Sequence, residues 1–466
     1  MLSRPTRRAL ALGVLALLAA PEPYARGDEL PADVVTQAPW SPTHGYSLDR
    51  ILELADQNYP TLAQSRAKVR EAQAQLDEAH YAPYSQFRFT GGIGLAPTIR
   101  GSSTFSPNTD VSLTSSLGLA WRAGIEGVVP LWTFGKITNL WDAAKSNVRV
   151  NQAQVEADRD AIRLDVRRAF FGLQLARDSQ YLLRDARKSI DKATARLEEE
   201  VADANADEID LEKIQTFAAE LDVREAEADK YVSAALAGLR FYSGVPNLDI
   251  VDSPLRAPKH ELGHLLRYLQ AAKLYRPELR MASAGIDART AQVRLARSML
   301  FPDIGVGLSA GLSTAPEIAD QINPFVTDPG NYFHYGAALV FQWKLDFLPQ
   351  AARIRFAQAQ LDQVQAQQRY ALGGVGSEVE LAYADVVDWT RRRAAYQRAV
   401  KHAKRWLIIV QEGIDVGTKE EKELLEPARQ YAFQRFNLLN ATMELNLAMS
   451  RLSKATGWNA IAPDGT

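Results

Sequence analysis

Apolar positions along this chain keep two different periods, and the periods follow one another in the same order in both halves. Leu48, Leu52, Ala55 and Leu62 recur at helical spacing up to about His80. A break is expected at Asn58 and Tyr59 before Pro60, and a stop at Pro83. The period then drops to two. Phe87, Phe89, Ile93 and Leu95 alternate with small or polar residues, as do Val111, Leu113, Leu117, Leu119 and Trp121. The Pro/Ser/Asn-rich stretch 97–109 lies between them, which predicts a β-hairpin with strands at about 84–97 and 110–128. From about 136 to 240 good helix formers dominate. The Asx-rich run VADANAD (201–207) folds that stretch into a long antiparallel helical hairpin.

The second half repeats the scheme. Helical spacing runs from Leu265 to Leu300, with Pro277 near its start and Pro302 at its end. Ile304, Val306, Leu308, Ala310 and Leu312 alternate, and so do Tyr335, Ala337, Leu339, Phe341, Trp343, Leu345 and Phe347. Strands are expected at about 302–313 and 332–347, then a helical hairpin at about 351–455 turning near Gly413 and Gly417. Landmarks recur at a nearly constant offset: Pro60 and Pro277, Pro83 and Pro302, Phe134 and Phe347, Gly244 and Gly457. This is a tandem repeat, 47–245 and 265–457, with a connector at 246–264 and a tail at 458–466.

The N-terminus reads as an export signal. Arg4, Arg7 and Arg8 precede an apolar run from Ala9 to Ala20, and Ala25 and Gly27 fit a cleavage site that ends a signal peptide at 1–27. Residues 28–46 then form an N-terminal periplasmic extension. The run falls short of the ~20 apolar residues that cross a bilayer. The mature chain is therefore either soluble outside the cytoplasm or membrane-spanning as β-strands. With 54 basic and 56 acidic side chains the net charge is -2, which gives no support for a nucleic-acid partner. The absence of Cys excludes disulfides, thiolate chemistry, Cys-based metal sites and a lipid carried on an N-terminal Cys.

Four strands cannot close a barrel alone, yet strands in lipid must close. Three chains would supply a 12-stranded barrel, so a homotrimer is expected. Tyr335, Leu339, Phe341, Trp343, Leu345 and Phe347 form an aromatic-rich face toward outer-membrane lipid, with Gln342, Lys344 and Asp346 opposite. The long hairpins bury only narrow stripes and must pack side by side, as a tube coaxial with the barrel. The fold class is mixed α and β. A periplasmic coiled-coil scaffold without a channel is the main competing reading.

Candidate chemistry is sparse. His260, Glu261 and His264 spell H-E-x-x-H, the pattern of a zinc hydrolase when it lies on a helix. Here LLRYLQ follows, without the extended ligand pattern, and Pro254 and Pro258 precede it. A solvated helix start with Glu261 near the helix dipole is expected instead, with no metal, no cofactor and no catalytic residue. The turns are acidic. Asp203, Asp207, Glu208 and Glu212 crowd the first, and Asp415 and Glu420 the second, offset by Lys419 and Lys422. Asp203 and Asp207, four apart, are expected to share a face, as are Glu208 and Glu212. Such a mouth would favour cations.

The chain resembles the TolC-like outer-membrane efflux proteins over essentially all of 47–458. The carriers are ELADQNYPTLAQSRAKVREAQAQLDEAHYAPYSQF and LYRPELRMASAGIDARTAQVRLARSMLFPDIGVGLSAG at the two repeat starts, GVVPLWTFGKITNLWDAAKSN at the exit from the first strand pair, VQEGIDVGTKEEKELLEPARQ at the second turn, and AMSRLSKATGW at the close. The resemblance implies a passive outer-membrane conduit with a large periplasmic portion, of a tripartite efflux or type I secretion system. It implies docking to a periplasmic adaptor and an inner-membrane transporter. The docking tips would be Val201, Asp203, Ala204 and Asp207, with Ile414, Gly417 and Thr418. The second barrel exit, FQWKLDFLPQAARIRFAQAQ, departs from the family's Gly-rich turn, and Pro349 is expected to supply the break.

Overall fold

The structure, a computed structural model, describes residues 45–84, 86–100, 110–203, 207–320, 328 and 330–464. The signal peptide, most of the N-terminal extension, Ala204 and much of the two long loops lie outside these residues. Helix α1 (Leu48–Asn58) and α2 (Pro60–Tyr81) lead into strands β1 (Phe87–Arg100) and β2 (Asp110–Trp132), then α3 (Lys136–Ala202) and α4 (Glu208–Ser243). The same order returns as α5 (Leu265–Tyr275), α6 (Pro277–Ser298), β3 (Asp303–Thr314), β4 (Tyr332–Gln342), α7 (Phe347–Asp415) and α8 (Leu425–Thr456).

Local chemistry places the same punctuation in both halves. Tyr59 and Arg276 each precede a proline and are extended, at φ -70, ψ 123 and φ -67, ψ 123. Proline bars its predecessor from the helical region, so each leading helix stops there and a new one starts on the proline. Ser47 caps α1, accepting from Arg50 N–H at 3.4 Å. Gly244 (φ 71) and Gly457 (φ 67) end α4 and α8 in the left-handed conformation that glycine adopts without penalty.

The strands form one antiparallel sheet in the order β1-β2-β3-β4, so the pairing of β2 with β3 joins the two repeats. Two bounds differ from the periodicity. β2 runs on to Trp132, and β4 stops at Gln342 although alternation continues to Phe347. Gln342 pairs with Asp303, the first residue of β3, so beyond it β4 has no partner strand. Trp343 and Leu345 lie between strand and helix, and Phe347 opens α7 with Pro349 in its first turn, where the missing N–H is harmless.

Helices α3 and α7 have 67 and 69 residues, roughly 100 Å each. α3 packs against α2, α6, α4 and α8, and α7 against α6 and α8. Their cores are twinned. Ile51 and Leu52 of α1 meet Val166, Phe170 and Phe171 of α3 and Leu239 of α4. Tyr268 and Ala272 of α5 meet Val379 and Val386 of α7 and Leu452 of α8. A third cluster, Ile190, Leu197, Ile214 and Leu221, holds α3 to α4 near their turn, with Leu425 against it. No helix among the described residues is long and apolar enough to cross a membrane.

Candidate functional site

The sheet has two unlike faces, set by register. Phe89, Ile125, Ala310 and Tyr335 form one row across all four strands. The adjacent row on the other face is Arg88, Glu126, Ser309 and Gly336, and the next is Thr90, Gly124, Gly311 and His334. On the apolar face Phe89 is 67%, Ile93 80%, Tyr335 79% and Leu339 74% exposed. So large a continuous apolar surface is not left in water. On the other face glycine is required by contact: a Cβ on Gly311 would lie 2.4 Å from His334 Cε1. Within the chain β4 pairs on one side only, and β1 does so except at Ile99, which bridges to Ile318 on its free side.

Aromatic rings collect where strands pass into helices. Phe134 stacks on Phe301 at 5.3 Å, and Trp343 meets Phe347 edge-on at 5.9 Å. Trp343 Nε1 donates to the Leu300 carbonyl at 3.0 Å, and Lys136 pairs with Asp303 at 2.8 Å. These bonds tie the β2–α3 and β4–α7 exits to the start of β3. Trp343, Leu345 and Phe347, expected within the strand, thus sit at this junction, still exposed.

At the opposite end of α3, Asp203 closes the helix and Asp207 caps α4, its carboxylate accepting from Ile209 N–H at 3.0 Å. The expectation that Asp203 and Asp207 share a helical face therefore fails, because α3 ends at Ala202 and α4 begins at Glu208. Glu208 and Glu212 do lie one turn apart on α4, both exposed. In the second turn Gly417 adopts φ +73. Its N–H bonds to the Ile414 carbonyl at 2.9 Å and Thr418 N–H to the Gly413 carbonyl at 2.8 Å, a Schellman close.

The two tips meet. Lys422 Nζ lies 2.5 Å from Glu420 and 3.7 Å from Asp210, while Lys213 pairs with Asp210 at 2.8 Å and Lys419 with Glu423. The Lys213 hydrogen bond is the main cause that holds the Asp210 carboxyl below its ordinary value, and the Lys419 bond does the same for Glu423. Glu420 raises Lys422. Glu420 is thus an ion-pair partner, not part of an uncompensated acidic set. Ile190, Leu197, Ile214 and Leu425 line a cavity of about 160 Å³ beneath these pairs.

The H-E-x-x-H segment is not helical. Residues 251–264 are irregular and α5 starts only at Leu265, so His260 and His264 do not share a helical face and Glu261 stands before, not at, the helix dipole. His260 Nε2 lies 3.0 Å from the hydroxyl of buried Tyr268, which accepts from Gly263 N–H at 3.1 Å. Burial, then Arg267, lowers the imidazole below its ordinary value, against Glu261. Among the described residues no three His, Asp or Glu are grouped to hold a metal. The inter-tip ion pairs and the aromatic junction went unread in the sequence, since their partners lie in different repeats.

A sheet with one apolar exposed face, continued by helical hairpins of this length, fits an outer-membrane channel protein. The chain belongs to the outer membrane efflux protein family, whose model matches residues 51–245 and 268–458. It is similar to the cation efflux system protein CusC of Escherichia coli K12, 21% identical over 76% of this chain and 72% of that protein. It is also similar to the solvent efflux pump outer membrane protein SrpC of Pseudomonas putida, 22% identical over 88% and 85%. A crystal structure of a membrane protein from Pseudomonas aeruginosa superposes with a TM-score of 0.71 over 88% of this chain and 93% of that one, at 18% identity. The protein is an outer-membrane efflux channel component and not an enzyme.

Proposed function

We propose that three copies of this chain close into one passive conduit that docks to a periplasmic adaptor and an inner-membrane transporter. The observation that carries this reading is the four-stranded sheet with an exposed apolar face and two edges left open within the chain but for one bridge from Ile99 to Ile318. Open edges in hydrocarbon leave backbone groups unsatisfied at several kcal/mol each, and a ring of three sheets removes them. Tyr335, Leu339 and Phe341 then face lipid. Trp343, Leu345 and Phe347 sit at the level of the headgroups, where aromatic girdles form. Residues 1–27 are removed on export, and the two repeats each supply two strands and one hairpin.

The hairpins continue the barrel as a periplasmic helical tube. Val201, Asp203, Ala204 and Asp207 with Ile414, Gly417 and Thr418 form the adaptor-docking end. Asp203, Asp207, Glu208, Glu212 and Asp415 make that mouth acidic, and three copies concentrate the field, favouring cations. The relatives' names divide between cations and solvents, so membership of the family does not by itself fix the cargo.

Gentle detergent should release a trimer of roughly 150 kDa protein mass. A monomer with intact secondary structure would sink the proposal. In planar bilayers the trimer should conduct and prefer cations. Neutralising Asp203, Asp207, Glu208 and Glu212 should move the reversal potential toward zero selectivity; an unchanged potential reduces the acidic mouth to a solvated tip.

A further inference from the structure

The buried side-chain polar atoms that lack any hydrogen-bond partner among the described residues all lie in one place. They are Asp56 Oδ1 and the Nε atoms of Arg159, Arg163 and Arg167. The arginines are four apart on α3, so they stand on one face, turn above turn. Asp56 near the end of α1 faces them, with Oδ2 2.6 Å from Arg163 Nη2 and 3.7 Å from Arg159 Nε. Arg66 of α2 brings a fourth guanidinium, which donates to the Asp56 carbonyl at 2.6 Å. Asp49 also attracts Arg167, ahead of Asp160, whose own carboxyl is pushed up by burial against the Asn459 side chain that donates to it. The cluster thus sets four guanidinium groups against the carboxyls of Asp56, Asp49 and Asp160.

Arg167 is the sharpest case. It is 8% exposed and takes part in no ion pair among the described residues. Burial, then the neighbouring Arg163, lowers it to about 10, which still leaves it protonated at neutral pH. A buried charge without a partner is strongly unfavourable. Elsewhere the same fold satisfies a buried arginine fully. Arg276, 7% exposed, pairs with Glu278 at 3.1 Å and Glu378 at 2.5 Å and donates to the Ala455 carbonyl at 3.0 Å. Nor does the repeat demand the cluster: the positions on α7 that match the three arginines are Leu372, Gly376 and Glu380.

We propose that the Arg159–Arg163–Arg167 face of α3, closed by Asp56, is an oxyanion site that holds one phosphate or carboxylate group against Arg163 and Arg167. Guanidinium forks match two oxygens of such a group, which a compact halide does not offer. A singly protonated phosphate oxygen would also donate to Asp56 Oδ1. Arg159, whose side chain is 35% exposed, stands at the open side. The occupant is a free anion.

The test is thermal unfolding of the full chain in detergent, with oligomeric state followed in parallel, after dialysis into a low-salt zwitterionic buffer. Inorganic phosphate should raise Tm saturably. In Arg167→Met and Arg163→Met the effect should need at least about tenfold more phosphate. Arg167→Lys, which keeps the charge and loses the fork, should fall between and guards against a folding defect. No saturable rise in the parent, or an equal rise in Arg167→Met and Arg163→Met, overturns the proposal.

Discussion

Tyr268 and His260 show how one buried hydroxyl can govern a motif. The hydroxyl accepts from Gly263 N–H and lies 3.0 Å from His260 Nε2, and it can donate its own proton there only when the imidazole is neutral. The folded-state value of His260 lies below the ordinary 6.5. Its contribution to stability is therefore full above pH 6.5 and is lost as pH falls through the folded value. Protection of the amides across 255–264 against exchange should be higher at pH 7 than near pH 5. His260→Gln, which can still accept from Tyr268, should remove that dependence. Equal protection at both pH values in the parent would refute it. Gly417 is the second residue whose role is set by backbone. A Cβ there meets nothing within 4 Å, so only its φ of +73 resists substitution. Gly417→Val should destabilise the second tip by about 1–2 kcal/mol while Gly417→Asn costs less, read as tip-local proteolysis.

Between elements, the decisive contacts are those that tie the two hairpins to each other. Asp210 lies on the first and Lys422 on the second, and neither sequence neighbourhood hints at the other. Asp210→Asn should speed amide exchange at 416–424 and leave the twinned cores unchanged. Charge exchange, Asp210→Lys with Lys422→Asp, should restore it in part; an unaltered tip in the single mutant would show that the apolar cluster around Leu425 alone holds the hairpins. The carboxyls of Asp210 and Glu423 lie below their ordinary values, so their pairs stabilise the tip above that range and are lost only as pH falls through the depressed values. Mild acidification therefore loosens the His260 connector before it loosens the tip. At the sheet end, the aromatic junction has the same cross-repeat character, since Phe134 and Phe301 come from different halves.

For the assembled molecule, closure makes the firmest demand. In the proposed trimer β1 and β4 meet on neighbouring copies, and the absence of Cys leaves no background. Cysteine pairs combining Phe89 or Ile93 with Tyr335 or Leu339 should oxidise in the membrane to covalent dimers and trimers. Products confined to the monomer for every pair would end the barrel proposal.

Much of this was written in the sequence, because a period of 3.6 or 2 is a property of a few neighbouring residues and needs no tertiary information. The two repeats, the four strands, the long hairpins with turns near 203–207 and Gly417, and the proline breaks at Tyr59 and Arg276 all follow from such local rules. What the chain does with those pieces depends on residues about two hundred positions apart. Only the folded structure decides that β2 pairs with β3, and that β4 ends where β3 begins, releasing Trp343, Leu345 and Phe347 from the sheet. It also decides that Glu420 and Asp210 are already paired, and that prolines and a buried tyrosine keep His260 off a helix. The arginine face of α3 belongs to the same class. Its spacing is visible along the chain, but whether a guanidinium finds a partner depends on what every other element brings against it.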